Sequence, residues 1–122
     1  MKAFSFFFVF TIAMAASAAD LECSAFIDGR GHTSAKSYAL TPMQKDPTLL
    51  IAKVGEYSFV VDTIELSKNG SLRLFIHDLK ADYTAMSDGV MKPIGRQKEA
   101  RLQQIIGYDS RDPMTLSVSC YL

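Results

Sequence analysis

The stretch Tyr57–Leu79, YSFVVDTIELSKNGSLRLFIHDL, has the pattern of a β-hairpin. Asn69-Gly70 between two apolar runs is a strong hairpin signal. A three-residue loop, Lys68-Asn69-Gly70, gives one apolar face and one polar face, with Gly70 in the left-handed conformation. In that register, three pairs face each other: Leu66 with Leu72, Ile64 with Leu74, and Glu65 with Arg73.

The apolar residues change phase before this loop. Those of 57–61 occupy odd positions, whereas those of 64–66 occupy even positions. Such a change of phase indicates a β-bulge or a bend near Asp62-Thr63.

Further short strands are predicted on both sides of the hairpin, separated by Gly, Pro, Asn and Asp turns. They span 21–28, 35–41, 49–54, 82–87, 99–106 and 114–122, with proline-containing loops at 41–47 and 90–95. The segment 97–106 also suits a helix by propensity, and the surrounding strands favour strand. Seven or eight short strands predict an all-β fold, either an antiparallel β-sandwich or a small β-barrel.

Residues 1–19 have the pattern of a signal peptide, which leaves residues 20–122 as a single β domain. Lys2 supplies the positive charge, Phe4–Ala16 the apolar core, and Ala16-Ser17-Ala18 the cleavage motif, with cleavage after Ala18 or Ala19. A retained membrane anchor is the alternative, but the apolar run is short for a bilayer. We expect a periplasmic or secreted protein with no stable membrane insertion after cleavage.

The two cysteines, Cys23 and Cys120, predict one disulfide that joins the first and last strands. Each lies on the apolar phase of an alternating segment, so both side chains are expected to enter the same interior. Metal binding or redox work by the two thiols is the alternative, but the sequence has no CxxC motif.

The charge balance argues against nucleic acid as a partner. The chain has 13 basic and 13 acidic residues, and neither sign forms a long run. Nucleic-acid-binding domains usually carry a basic patch or stripe.

Catalytic, metal-ligating and cofactor-binding motifs are not evident, so the sequence predicts no such residues and no cofactor. His32 lies in a glycine-rich turn, and His77 lies on the outward phase of its strand. Three carboxylates, Asp78, Asp82 and Asp88, suggest a calcium site as the less favoured alternative to solvated turn acids. The segment Asp109–Asp112 is likewise interpreted as a turn.

Three aromatic residues, Phe26, Phe75 and Tyr121, fall on outward phases of their predicted strands. If these strands share a sheet face, the three side chains form an exposed apolar patch, which often marks an interaction site. The alternative is that a loop or a second sheet covers them.

The layout resembles that of short exported proteins of Gram-negative bacteria, of which periplasmic lysozyme inhibitors are an example. The resemblance covers size, compartment and cysteine placement. The favoured function is a non-enzymatic binding module that contacts an unknown protein or small molecule through a surface loop or an aromatic face. The alternatives are a small-ligand carrier with a barrel cavity and, less favoured, a hydrolase.

Overall fold

The computed structural model describes residues 20–29, 36–106 and 113–122. These residues form ten strands and one helical turn. The strands are β1 (Glu22–Gly29), β2 (Lys36–Ala39), β3 (Thr41–Pro42), β4 (Leu49–Val54), β5 (Tyr57–Asp62), β6 (Ser71–Asp78), β7 (Tyr83–Val90), β8 (Lys92–Ile94), β9 (Gln97–Ile106) and β10 (Met114–Tyr121). The helical turn, α1 (Leu66–Asn69), lies between β5 and β6.

The strands form two five-stranded antiparallel sheets that pack face to face. Sheet A has the order β2-β1-β10-β9-β8, and sheet B has the order β3-β4-β5-β6-β7. The predicted all-β antiparallel sandwich is therefore confirmed, and of the two predicted architectures the barrel is not formed. Segment 97–106 is a strand throughout, as predicted.

Alternating side chains from both sheets fill the space between them. Strands β1 and β10 supply inward residues from sheet A, and β5 and β6 supply them from sheet B, as their alternating burial shows. The largest fully buried apolar side chains are Phe59, Leu66, Leu72, Leu74, Ile76 and Leu116.

The disulfide Cys23–Cys120 is confirmed and joins the two terminal strands. The two residues face each other across β1 and β10, with their Cα atoms 4.1 Å apart. The Cys23 carbonyl accepts a hydrogen bond from the Leu40 N–H, so it points away from β10. This places the cysteines at a position without mutual backbone hydrogen bonds, where facing side chains approach most closely.

The β5–β6 hairpin exists, but its predicted register is wrong. Val61 faces Leu74 and Asp62 faces Arg73, so the strand stops where the apolar phase changes. The connection spans residues 63–70 and contains α1, so neither Ile64 nor Glu65 belongs to a strand.

Local hydrogen bonds end β5 at Asp62-Thr63. The Asp62 carboxylate accepts the Ile64 N–H at 3.0 Å, and the Thr63 hydroxyl donates to the Thr48 carbonyl at 2.8 Å. The change of phase predicted a bulge or bend here, and the structure has the end of the strand. Gly70 is left-handed, as predicted, with φ of 74°, but it ends α1 rather than a three-residue hairpin loop.

Two short strands fall within segments predicted as loops, and each contains a proline. Pro42 lies in β3 at an edge of sheet B, and Pro93 lies in β8 at an edge of sheet A. Edge strands tolerate proline because one side of their backbone makes no ladder hydrogen bonds. Strand β7 also continues through Asp88-Gly89 to Val90, beyond its predicted end.

Gly29→Ala is expected to lower the free energy of unfolding by at least ~3 kcal/mol, through a left-handed backbone and overpacking. Gly29 has φ of +107°, and an added Cβ would lie 2.4 Å from the Pro113 carbonyl oxygen. Gly55→Ala is the matched control, because its φ is +59° and its Cβ meets nothing within 4 Å. We expect about 1–2 kcal/mol for that variant. If urea denaturation gave equal decreases in the free energy of unfolding for the two variants, the close approach at Gly29 would be contradicted.

Candidate functional site

The three aromatic residues predicted to form one interaction face lie on two different faces of the sandwich. Phe26 and Tyr121 project from the outer face of sheet A, whereas Phe75 projects from the outer face of sheet B. Each is half-buried, so the outward phases inferred from the sequence are correct. The condition of a shared sheet face is not met, because the strand order assigns β6 to the other sheet.

Phe75 is part of an apolar row across the outer face of sheet B. The row consists of Ile51, Val60, Phe75 and Met86, which face one another on β4, β5, β6 and β7. Neighbouring strands lie about 4.8 Å apart, so the row spans about 14 Å. The first three are half-buried and Met86 is 58% exposed, so every side chain of the row is at least partly accessible to solvent.

Charged side chains border the apolar row on both of its sides. On one side Asp62, Arg73 and Asp88 form a line across β5, β6 and β7, with one excess negative charge. Within it, Arg73 Nε lies 3.3 Å from a carboxylate oxygen of Asp88. On the other side the line contains Lys53 and His77, and the carboxylate of Asp82 lies 3.6 Å from His77. The apolar row therefore has two charged borders, one that contains Asp62 and one that contains Lys53.

The border that contains Lys53 brings together three residue types that are used in hydrolysis. Ser58 faces His77 across β5 and β6, and His77 Nε2 lies 3.6 Å from Asp82 Oδ1. Among the described residues, however, Ser58 makes no hydrogen bond to His77. The Asp82 side chain is 96% exposed, so solvent screens its effect on the imidazole. The arrangement lacks the hydrogen-bonded geometry of an activated nucleophile.

The three carboxylates considered for calcium do not form one site. Asp78 accepts the backbone N–H groups of Lys80 and Ala81 at 3.1 Å each, which shapes the β6–β7 turn. Asp88 lies near the other end of β7, beside Arg73. No cluster of three or more potential metal-ligating side chains occurs in residues 20–29, 36–106 and 113–122. His32 and the segment 109–112 lie outside the described residues.

The outer face of sheet A is more polar than that of sheet B. Phe26 lines a shallow depression of about 250 Å³ with Arg101, Gln103 and Thr115. Along the strands, Phe26 and Tyr121 are about 13 Å apart, and the Ser24 and Ser119 pair lies between them. The two aromatic side chains of this face therefore do not form a continuous patch.

Tyr121 has a raised pKa because its hydroxyl hydrogen-bonds to the Glu99 carboxylate, with burial and the negative charge of Glu99 adding to the effect. In a phenolate titration, we expect Tyr121 to ionise above the ordinary value of about 10. The contribution of this raised pKa to the stability of the fold is complete at pH values below the ordinary tyrosine pKa. It is lost as the pH rises through the raised pKa of Tyr121.

Glu99→Gln is expected to lower the pKa of Tyr121. Glu22→Gln is the control, because Glu22 faces Tyr121 from the opposite neighbouring strand. Subtracting the titration of Tyr121→Phe isolates the signal from those of the other four tyrosines. An equal decrease in both glutamine variants would contradict the assignment to Glu99.

A cleft of about 490 Å³ lies between β7 and the β8–β9 edge of sheet A. Strand β9 packs on both β6 and β7, so its neighbour β8 extends beyond the edge of sheet B. The apolar part of the cleft is lined by Leu74, Val90, Ile94 and Ala100, and charged side chains lie at its rim.

The sequence interpretation identified Phe75 but missed Ile51, Val60 and Met86. Their outward phase follows from alternation once Leu50, Phe59 and Val61 are assigned to the core. Their alignment in one row depends on the register of three strand pairs, which alternation within one strand does not specify.

Comparisons with known protein families, with curated proteins and with solved structures found no significant match to this chain. In the part of the chain that the structure describes, no helix has the length and apolar character needed to cross a membrane.

Proposed function

We propose that this chain is an exported, non-enzymatic binding module that contacts a protein partner through the apolar row of sheet B. The observation that carries the proposal is the alignment of four apolar side chains across four strands on a solvent-facing surface. Contiguous exposed apolar surface rimmed by polar residues often marks a protein interaction site.

The two charged borders indicate the chemistry of the partner surface. A complementary surface has an apolar strip, with basic groups opposite Asp62 and acidic groups opposite Lys53. Charge complementarity of this kind fixes the orientation of a partner and increases the association rate more than the affinity. The apolar contacts supply most of the binding energy.

Export is supported by the predicted signal peptide and by the Cys23–Cys120 disulfide, since disulfides persist mainly in oxidising compartments. We propose a periplasmic or secreted location in a bacterium, consistent with the layout of short exported proteins. Intact mass measurement of protein recovered from fractionated source cells tests this. A chain beginning at Ala19 or Asp20 outside the cytoplasm supports export, and an intact Met1 in the cytoplasmic fraction contradicts it.

The binding proposal is tested by capture from the exported fraction of the source organism with the oxidised domain. Phe75→Ser is expected to reduce the binding of a captured and identified partner at least about tenfold, since aromatic anchors dominate binding energy. Phe26→Ser is the matched control, because Phe26 is also half-buried but lies on sheet A. It is expected to leave the affinity unchanged.

Lys53→Glu tests the orientation of the partner separately. We expect this variant to slow association, with a dependence on salt concentration, because Lys53 lies at the rim of the surface.

A partner that binds the Phe75→Ser variant as well as the unchanged protein, but no longer binds the Phe26→Ser variant, would place the interaction on sheet A. Circular dichroism of each variant excludes loss of fold as the cause.

We favour the binding module over a ligand carrier with a barrel cavity, because two separate sheets pack their side chains against each other. The hydrolase alternative has Ser58, His77 and Asp82 as its candidates. A hydrolytic activity that disappears in both Ser58→Ala and His77→Ala would favour that alternative over the binding module.

A further inference from the structure

Strand β7 is an open edge of sheet B with a defined set of free backbone groups. In the described part of the chain it pairs with β6 alone. The Met91 N–H donates to the Gly70 carbonyl at 3.2 Å, which sets the alternation of the β6–β7 ladder. Every second residue then hydrogen-bonds to β6, and the backbone N–H and C=O groups of Thr84, Met86, Asp88 and Val90 point away from it.

This edge lacks the protection found at the other sheet edges. Pro42 lies in edge strand β3 and Pro93 in edge strand β8, where they block further pairing, and β2 carries Lys36. Strand β7 is eight residues long, without proline or lysine. Its one charged residue, Asp88, is paired with Arg73. A long edge strand of this kind is a template for strand addition.

The cleft beside β7 provides space for inward side chains of an added strand. Gly89 lines this cleft, and a Cβ added there meets nothing within 4 Å. At the other end of the same strand, Tyr83 lies on the inward phase but remains exposed. The strand therefore carries an uncovered aromatic ring and an unfilled space at opposite ends.

We propose that a second copy of this chain pairs antiparallel with β7, with the two Met86 residues facing each other on the two-fold axis. Of the four residues with free backbone groups, Thr84, Met86 and Asp88 are symmetric about Met86, and Val90 lies beyond them at the end of the strand. Antiparallel pairing in this register forms six backbone hydrogen bonds, in which Thr84 of each copy faces Asp88 of the other. A register centred on Ser87 would also pair Val90, but it would not place Tyr83 opposite Gly89, so the fit of these two residues selects the register centred on Met86.

The same register places Tyr83 of the second copy opposite Gly89, so the exposed ring enters the cleft under β8. Aromatic side chains that cover a glycine on a neighbouring strand stabilise sheets. Asp88 of one copy faces the uncharged Thr84 of the other, so no like charges face each other across the new pair. The Tyr83 ring fits the cleft, and no like charges face each other, so these two features favour a second copy over an unrelated peptide.

Pairing also joins the apolar rows of the two copies through Met86. The combined row crosses eight strands, with Phe75 next to Met86 in each half. This consequence bears on the proposed function, but the pairing rests on the edge and the cleft alone. An interface of one strand per copy is small, below roughly 1,200 Å², so a dissociation constant on the order of micromolar is expected.

The test is sedimentation of the oxidised domain, without any partner, over a range of concentrations. We expect Met86→Lys and Met86→Glu each to raise the dissociation constant at least about tenfold, since like charges then meet at the axis. An equimolar mixture of the two variants is expected to form a heterodimer again. Ile105→Lys is the matched control, because Ile105 is 48% exposed on sheet A and should leave dimerisation unchanged.

A domain that stays monomeric at millimolar concentration overturns the proposal. A dimer that Met86→Lys does not weaken, or a variant mixture that does not associate, overturns the register and with it the proposal. Tyr83→Ala is expected to weaken the dimer about tenfold, through loss of a buried aromatic contact. Since no partner is present, these outcomes are independent of whether the apolar row binds another protein.

Discussion

Replacing Cys23 and Cys120 together with alanine is expected to lower the free energy of unfolding by about 4–5 kcal/mol. The disulfide joins residues 97 positions apart in sequence, so it closes nearly the whole domain and restricts the unfolded chain strongly. Small domains are stable by only about 5–15 kcal/mol, and the loss is a large part of that. Equilibrium urea denaturation of the oxidised unchanged protein and of the double alanine variant gives the difference in the free energy of unfolding.

The unchanged protein in reducing agent is the matched control for this variant. We expect its midpoint to fall close to that of Cys23→Ala/Cys120→Ala, because both lack the same cross-link. A loss below about 1 kcal/mol would show that the bond does not restrict the unfolded state as the entropy model requires. An effect of the reducing agent on the alanine variant would indicate a cause other than the disulfide.

Leu66→Ala is expected to destabilise the protein by about 2–5 kcal/mol, since removal of a buried leucine side chain leaves a cavity. The Leu66 side chain is only 2% exposed and belongs to the core, although it lies in α1. Ile64→Ala is the control, because Ile64 is 56% exposed. Surface substitutions of this kind change stability by about 0.5 kcal/mol or less.

The comparison of these two variants discriminates between two structures of the hairpin. In the register predicted from the sequence, Ile64 and Leu66 lie on the same inward face, so both alanine variants would be strongly destabilising. In the structure only Leu66 enters the core. Thermal or urea denaturation in which both variants lose several kcal/mol would contradict the position of α1.

The sequence by itself determined the elements whose signals are local. Alternation with a period of two identified β1 and β10, because side chains of a strand point alternately to the core and to solvent. The turn signal at Asn69-Gly70 identified Gly70 as a position of left-handed backbone. The same alternation placed Cys23 and Cys120 in the interior, and the structure confirms that they are bonded.

Local signals were not sufficient where the chain leaves regular structure. The hairpin signal at Asn69-Gly70 was real, but Gly70 ends a helical turn instead of a tight loop. The hydrogen bond that the Asp62 carboxylate accepts and the one that the Thr63 hydroxyl donates end β5 early, and the Leu66 side chain is buried from the helical turn. The segments of β3 and β8 were predicted as loops because each contains a proline. A strand tolerates proline only at a sheet edge, and the sequence does not show which strands lie at an edge.

Only the tertiary structure decided which strands share a sheet and which residues lie in one row. Phe26 and Phe75 have the same outward phase, yet the strand order places them on opposite sides of the sandwich. The apolar row, the cleft beside β7 and its free edge all depend on pairings between strands. Alternation indicates which way a side chain points within its own strand. Strand order and register, in contrast, depend on how the apolar faces of the two sheets are buried against each other.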